Sequence, residues 1–213
     1  RTVRLVLLST FAIPVETLMI TRNHFLLATA LVASSKLLFA QENVGGMPYT
    51  LRAGMDATHL PELLAAPFDA NVTAIQDAQR EANGDLPLYS RFCALDASLD
   101  NSGQWDLLPN GDRIWRLRIT SAGAQASELF YRDFHLPENA VLYVYAPDGS
   151  VVSGGFTAYN NQDHGLFTSA LIPGPTCVVE YYEPQSVAGQ GRFTIDRVGH
   201  AYRWADDAMA DAC

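Results

Sequence analysis

The fold is decided by the stretch Arg113–Ser121, which reads Arg-Ile-Trp-Arg-Leu-Arg-Ile-Thr-Ser. Three apolar residues alternate in it with two arginines: Trp115, Leu117 and Ile119 against Arg116 and Arg118. Successive side chains of a β-strand point to opposite faces of the sheet. This alternation therefore predicts a half-buried strand whose apolar face points inward and whose guanidinium groups point outward.

Similar short segments, separated by turn signals, continue on both sides of this stretch. About nine strands are predicted: 88–95, 104–108, 113–121, 128–135, 140–146, 151–157, 166–172, 177–182 and 192–198. Pro109-Asn110-Gly111 predicts a hairpin turn, because Asn-Gly readily adopts positive φ values. Such strands must bury their faces sheet against sheet, so the predicted fold is mainly β, an antiparallel, jelly-roll-like β-sandwich.

The residues before the strands are predicted to form a leader, 41–85, with one short helix. Asp69-Ala70-Asn71 offers capping residues for a helix over 72–82, and Asn83-Gly84 gives its stop signal. The apolar stripe expected to form the buried face of this helix consists of Val72, Ile75 and Ala78–Ala82. Residues 41–57 are predicted to be extended, and Leu60–Ala66 to form one helical turn or two.

Residues 19–40 have the pattern of a signal peptide: a methionine, a short basic start and an apolar run over Phe25–Val32. Cleavage is expected after Ala40, with Ser35 as the alternative. The run is shorter than the roughly 20 residues that a membrane span needs. A membrane anchor or a buried core helix is the competing interpretation. Residues 1–18 are interpreted as non-native sequence upstream of the start.

The part that follows the signal is strongly acidic. Residues 41–213 contain 10 arginines and 22 carboxylates, a formal charge near −12. Nucleic acids and anionic membrane surfaces are bound by clustered Lys or Arg, so neither partner is expected. We expect an exported monomer that reaches the extracellular space through the periplasm.

Three cysteines remain after the signal: Cys93, Cys177 and Cys213. Their spacings match no zinc or redox motif. Cys93 and Cys177 either bridge two strands, which an exported protein permits, or remain two separately buried thiols. The partner of Cys213 is expected to lie in sequence beyond this chain.

The sequence contains no recognisable catalytic constellation. A serine-protease triad needs a serine, a histidine base and an orienting aspartate, but neither an Ala-Ala-His-Cys-like nor a Gly-Asp-Ser-Gly-Gly-like stretch occurs. Ser153-Gly154-Gly155 comes nearest, yet Val152 stands where an aspartate is needed, so we predict a glycine bend in a strand. We therefore predict no catalytic, cofactor-binding or metal-ligating residue.

Histidines and carboxylates are assigned to structure rather than to a site. His135 and His200 are predicted to be packed or satisfied by turns. Glu180 and Glu183 flank two tyrosines and are predicted to be solvated charges on a strand face, not a glycosidase pair.

The remaining candidates have similar structural interpretations. Asp148 and Asp163 are predicted to form turns rather than to ligate calcium. Four tyrosines are predicted to pack in the core rather than to form a sugar-binding platform: Tyr143, Tyr145, Tyr181 and Tyr182.

A family resemblance covers roughly Arg91–Arg203. The pieces that carry it, in order, are Gly111–Ile119, Ser121–Ala124, Leu136-Pro137, Leu142–Tyr145, Gly155–Thr157, Asn160-Asn161, Ile172–Gly174, Val179–Pro184 and His200–Arg203. Their order and spacing resemble the amino-terminal pro-region of secreted bacterial trypsin-like serine endopeptidases of the lysyl endopeptidase type. Cys93 is a departure, since a glycine is expected there.

The resemblance implies a non-catalytic pro-domain over 86–203 and a linker, 204–213, into a catalytic domain that this chain lacks. Its partner is then the catalytic domain of the same precursor, which it helps to fold and keeps inactive until cleavage. The maturation cut is expected within Arg203–Ala212. No lysine follows Lys36, either from codon bias or because a Lys-specific protease spares its own pro-region. The competing hypothesis is a free-standing extracellular module that binds polysaccharide or a cell surface.

Overall fold

The computed structural model describes residues 42–204. The predicted upstream sequence, the signal peptide, the linker after Trp204 and Cys213 lie outside these residues. Within them the chain is mainly β, and the predicted β-sandwich is confirmed. No helix in this part of the chain is long and apolar enough to cross a membrane.

Two α-helices and eleven strands form the described structure. The helices are α1 (Tyr49–Ala53) and α2 (Ala70–Ala82). The strands are β1 (Glu62–Leu64), β2 (Ser90–Ser98), β3 (Gln104–Leu107), β4 (Arg113–Thr120), β5 (Ala126–His135), β6 (Val141–Tyr145), β7 (Val152–Phe156), β8 (Phe167–Thr168), β9 (Ile172–Pro173), β10 (Thr176–Glu183) and β11 (Arg192–Ala201).

The strands form two sheets. In the first sheet the order is β1, β4, β10, β6 and β7, with β3 also paired to β4. In the second, β2, β11, β5 and β8 follow one another, and β9 also pairs with β5. All pairs are antiparallel except β1 with β4. The chain crosses between the sheets repeatedly, so neighbouring strands are mostly distant in sequence, as in a jelly roll.

The core lies between the sheets and is rich in aromatic rings. Trp115, Leu117 and Ile119 are fully buried on the inner face of β4, as the alternation predicts. Trp115 meets Phe193 of the second sheet edge to face, with ring centroids 5.6 Å apart. Edge-to-face pairs of this kind stabilise a core beyond the area that they bury.

Helix α2 ends where the sequence predicts and begins at Ala70, two residues before the predicted start, but its buried face differs. Asp69 caps it by accepting hydrogen bonds from the backbone N–H groups of Asn71 and Val72, both at 3.0 Å. Val72 and Ile75 are exposed, whereas Thr73 and Asp77 are buried. The predicted apolar stripe is therefore wrong, because the surface under this helix is polar.

The amino-terminal segment also differs from its prediction. Helix α1 replaces part of the extended leader, and its Leu51 packs against Tyr145 and Val178 on the outer face of the first sheet. Leu60–Ala66 contains no helical turn. Instead β1 pairs in parallel with residues 118–120 of β4, because β3 covers only the first half of that edge.

The turns follow the sequence more closely. β3 and β4 form the predicted hairpin, and Gly111 has φ of +87° in its loop. The predicted glycine bend is confirmed in β7, where the register against β6 shifts and Gly154 has φ of +139°. The segment 166–172 is not one strand but β8 and the start of β9, both of which pair with β5.

Candidate functional site at the carboxyl-terminal anchor

Helix α2 and the end of β11 are joined by a cluster that we call the carboxyl-terminal anchor: Asp77, Glu81, Arg91, Tyr202 and Arg203. Asp77 is 8% exposed, and its carboxylate accepts hydrogen bonds from Arg91 and from the Tyr202 hydroxyl group. Burial, together with the Asp77 carboxylate, raises the pKa of Tyr202 to about 12. The phenol therefore stays protonated and available as a donor.

Arg203 completes the anchor. Its Nε donates to the carbonyl oxygen of Leu88 at 2.5 Å, and its Nη2 to Glu81 at 3.0 Å. The backbone N–H of Tyr202 donates to the carbonyl oxygen of Tyr89 at 3.1 Å. Trp204, the next residue, is 44% exposed. The described fold therefore extends through Arg203, whose side chain is held against the sandwich.

A cavity of about 460 Å³ opens beside the anchor. Phe68, Ala74 and Ala78 give it an apolar wall, while Glu81 and Arg203 lie at its charged side. An apolar centre with a charged rim is the usual character of a surface that binds another polypeptide. This cavity therefore marks the anchor as a candidate docking site.

Next to the anchor, a serine and a histidine form a hydrogen bond that resembles the nucleophile–base pair of a hydrolase. Ser121 Oγ is 2.8 Å from His200 Nδ1, and the Phe68 ring stacks on His200 with centroids 4.0 Å apart. Both polar residues are at most 2% exposed, so a substrate has no access to them. Burial lowers the pKa of His200 and keeps its ring neutral. The predicted packed histidine is confirmed, and the pair is structural.

Glu180 is predicted to be a solvated charge, but it is fully buried. Residues 42–58, which we call the amino-terminal strap, cover it on the outer face of the first sheet. Its carboxylate accepts the backbone N–H groups of Tyr49 and Thr50, the latter at 3.1 Å. A carboxylate can be buried when hydrogen bonds replace the water that it loses.

Arg116 also departs from the prediction, since it is only 3% exposed. It lies opposite Glu180 in the register of β4 and β10. Its guanidinium group donates to Asp106 at 2.7 Å, to Thr50 Oγ1 at 3.3 Å and to the carbonyl oxygen of Asp56 at 3.1 Å. The strap thus supplies partners to both buried charges.

Glu183 is fully buried as well. Arg113, its register partner, donates to it from Nε at 2.6 Å, and the N–H groups of Gly189 and Gly191 donate at 3.0 and 3.1 Å. Burial acts to raise the pKa of Glu183, but these donors outweigh it and lower that pKa. The prediction of a solvated carboxylate is wrong here too.

A sequence signal for these pairs exists, although the local pattern does not reveal it. The arginines at 113 and 116 and the glutamates at 180 and 183 have the same three-residue spacing. Antiparallel pairing of β4 with β10 places each arginine opposite one glutamate. Reading the two strands together, rather than singly, would have identified both pairs.

The predicted packing of the tyrosines is confirmed for two of them, since Tyr145 and Tyr181 are fully buried. Tyr143 and Tyr182 are half-buried and line a cleft of about 220 Å³. The other residues of this cleft are Met47, Tyr49, Arg52 and Val141.

Cys93 and Cys177 are separate buried thiols in opposite sheets, so the structure favours the second of the two interpretations. Burial raises the pKa of Cys177 to about 12, which makes this thiol unreactive.

The other candidates lie in loops or at strand ends. Asp148 forms the predicted turn, accepting from the backbone N–H of Ser150 at 3.0 Å. His135 and Asp163 line a polar cleft with Arg192. No group of three or more His, Cys, Asp or Glu side chains within residues 42–204 is arranged to hold a metal ion.

No family model matches this chain, and no solved structure matches it significantly.

Proposed function

We propose that this chain is the non-catalytic pro-region of a secreted trypsin-like serine endopeptidase precursor. It assists folding of the catalytic domain and keeps the protease inactive until cleavage. The observation that carries the proposal is the ordered set of segments between Arg91 and Arg203 that resemble such pro-regions. The last of these segments, His200–Arg203, contributes Tyr202 and Arg203 to the anchor.

The anchor bears on where a precursor of this kind is cut. The side chains of Tyr202 and Arg203 are occupied by contacts with Asp77, Glu81 and Leu88. A protease binds the residue before the cut in its specificity pocket, and the Arg203 side chain is not free to enter one. The proposed maturation cut, within Arg203–Ala212, therefore follows Arg203 only when these contacts open.

Two experiments test this function. The first is the sequence of the reading frame after codon 213, which we expect to encode the serine, histidine and aspartate stretches of a trypsin-like domain. The second is refolding of that domain in the presence and absence of the purified chain. We expect a higher yield and an inhibited enzyme when the chain is present, whereas unchanged yield and activity would contradict the proposal. Amino-terminal sequencing of the mature enzyme then locates the cut.

One observation favours a second candidate, a binding module for polysaccharide or a cell surface. The cleft of Tyr49, Tyr143 and Tyr182 presents partly exposed rings beside the guanidinium group of Arg52. Aromatic faces can stack on sugar rings. Titration with soluble polysaccharides, comparing the native chain with Tyr143→Ala, distinguishes this candidate. Saturable binding that the substitution abolishes would favour it over a pro-region.

A further inference from the structure

The amino-terminal strap is integral to the sandwich. The N–H of Val44 donates to the carbonyl oxygen of Gly155 at 3.2 Å, and the Tyr143 hydroxyl group donates to Gly45 at 3.3 Å. At Gly155 the two backbones meet so closely that a side-chain Cβ would lie 2.2 Å from the Gly45 oxygen. The strap is therefore seated in a fitted position on the first sheet.

The strap also supplies partners to two buried charges, while Asp106 of β3 gives Arg116 its carboxylate partner. Glu180, fully buried, accepts the N–H groups of Tyr49 and Thr50. Arg116 donates to Thr50 and to the backbone of Asp56. Removing one partner of a buried charge is strongly destabilising, because the remaining charge lacks both water and a replacement. Loss of the strap must therefore weaken the whole sandwich.

The strap contains Arg52, an exposed arginine that lies outside both sheets. Residues 42–204 contain ten arginines and no lysine, so arginines are the positions in this part at which a trypsin-class enzyme can cut. Besides Arg80, whose side chain is 41% exposed but lies within the 13-residue helix α2, four arginines are exposed: Arg52, Arg132, Arg192 and Arg197. The last three lie in β5 or β11 of the second sheet, where backbone pairing protects the peptide bond. Arg52 lies in α1, outside both sheets.

The residues after Arg52 favour access by an enzyme. Ala53 and Gly54 are both exposed, whereas Phe193, which follows Arg192, is 2% exposed. Helix α1 has five residues and ends at Gly54, whose φ is +62°. So short a helix has little stability beyond the contacts of Tyr49 and Thr50 with the sheet, and its exposed carboxyl-terminal end is the part that can open into the extended form that proteases bind.

We propose that the Arg52–Ala53 bond is a processing site for a trypsin-class endopeptidase, and that its hydrolysis opens the strap and destabilises the sandwich. Water adds across the amide, leaving a carboxylate on Arg52 and a free amine on Ala53. Residues up to Arg52 then belong to a separate peptide. Its dissociation takes both N–H donors from Glu180 and the Thr50 oxygen from Arg116.

The biological meaning of this cut rests on the proposed function. A pro-domain that one cleavage unfolds cannot rebind the enzyme that it has released, so activation becomes irreversible. The cut and its structural effect do not depend on that function, because an unrelated trypsin serves as the probe. Failure of the refolding experiment above would thus leave this proposal standing, and the reverse also holds.

The test is limited digestion of the full 213-residue chain with trypsin, followed by intact-mass analysis and thermal unfolding. Cuts after Arg22 or Lys36 leave the strap joined to the sandwich and are counted separately. Within residues 42–204 we expect the first cut after Arg52, and a fall in Tm of about 10 °C on nicking. Arg52→Gln should remove both effects, whereas the matched Arg192→Gln should keep them.

Two results would overturn the proposal. One is a first cut after another arginine of residues 42–204, or resistance of all of them. The other is a nicked protein whose Tm equals that of the intact chain. Because Arg52 is exposed, Arg52→Gln should fold normally, and its unchanged Tm before digestion verifies this.

Discussion

The phenol oxygen of Tyr202 lies 2.6 Å from a carboxylate oxygen of Asp77, although 125 residues separate the two in sequence. This contact joins the helix at the start of the domain to the residue that follows its last strand. The contact involves polar groups on the face of α2 that the pattern of apolar residues predicts to be exposed to solvent. The ends of the sandwich are thus held by a buried charge in addition to the stacking of Phe68 on His200 and Tyr202.

Replacing Tyr202 with phenylalanine should therefore weaken the domain. A hydrogen bond to a buried carboxylate contributes about 2 kcal/mol, and Asp77 would lose one of its donors. We expect the free energy of unfolding in urea to fall by about that amount. Tyr159→Phe is the matched control, since Tyr159 is 75% exposed, and should leave it unchanged. Equal stability of the two variants would contradict the role of the anchor.

The opposite result is expected at Tyr131. Its hydroxyl group is buried in the aromatic core and forms no hydrogen bond with the described residues. Tyr131→Phe removes an unsatisfied polar group, so it should raise the free energy of unfolding by about 1 kcal/mol.

Tyr181→Phe is the comparison, because the Tyr181 hydroxyl group donates to buried Glu183 at 2.9 Å. This variant should lose about 2 kcal/mol. Thermal denaturation of both variants is sufficient to show the difference in sign. A destabilised Tyr131→Phe variant would mean that its hydroxyl group has a partner.

Stability should decrease on mild acidification because of His200. Burial lowers its pKa below the ordinary value of 6.5. Between that value and the lower folded-state pKa the unfolded chain binds more protons than the folded one, so stability falls as the pH decreases through this window. The His200→Gln variant should have a flatter pH dependence in urea denaturation.

His164 provides the control for this measurement, since it is exposed and accepts a hydrogen bond only from the nearby Leu166 N–H at 3.0 Å among the contacts described. His164→Gln should retain the full pH dependence below pH 6.5. The slope with pH, rather than absolute stability, is the quantity to compare, because His200→Gln also alters packing. Parallel curves for the two variants would exclude His200 as the responsible group.

The fit of the strap can be tested at Gly155. Its φ is +70°, and an added Cβ would lie 2.2 Å from the Gly45 carbonyl oxygen. Gly155→Ala combines backbone strain with a clash. At Gly123, φ is +85° and nothing lies within 4 Å of the added Cβ, so Gly123→Ala introduces the strain alone. We expect Gly155→Ala to cost about 2 kcal/mol more in urea unfolding, typical of overpacking. A difference near zero would mean that the strap moves aside.

The sequence predicts the strand ladder because alternation is a local property. Trp115 and its neighbours are placed on the correct face, and the hairpin at Gly111 follows from turn chemistry. The cap at Asp69 is predictable for the same reason. Its side chain accepts hydrogen bonds from N–H groups two and three residues later in the chain, whatever the rest of the fold is. Each of these predictions depends on a few consecutive residues.

The predictions that fail all depend on a distant segment. Arg116 and Glu180 lie on a strand face that is polar in pattern and would be solvated if the strap were elsewhere. Asp77 belongs to the buried side of its helix only because Tyr202 and Arg91 meet it there. Local periodicity cannot distinguish a polar face that meets water from one that meets buried polar partners. That distinction requires knowledge of which strands pair.

The position of β11 has a consequence for the order of assembly. It is the last strand of the described residues, yet it is central in the second sheet and pairs with both β2 and β5. A nascent chain that ends before Arg192 lacks the strand that joins those two, and a chain that ends before Tyr202 lacks the anchor. Strands that pair over long sequence separations fold slowly. The sandwich therefore closes only after β11 and the anchor have been synthesised.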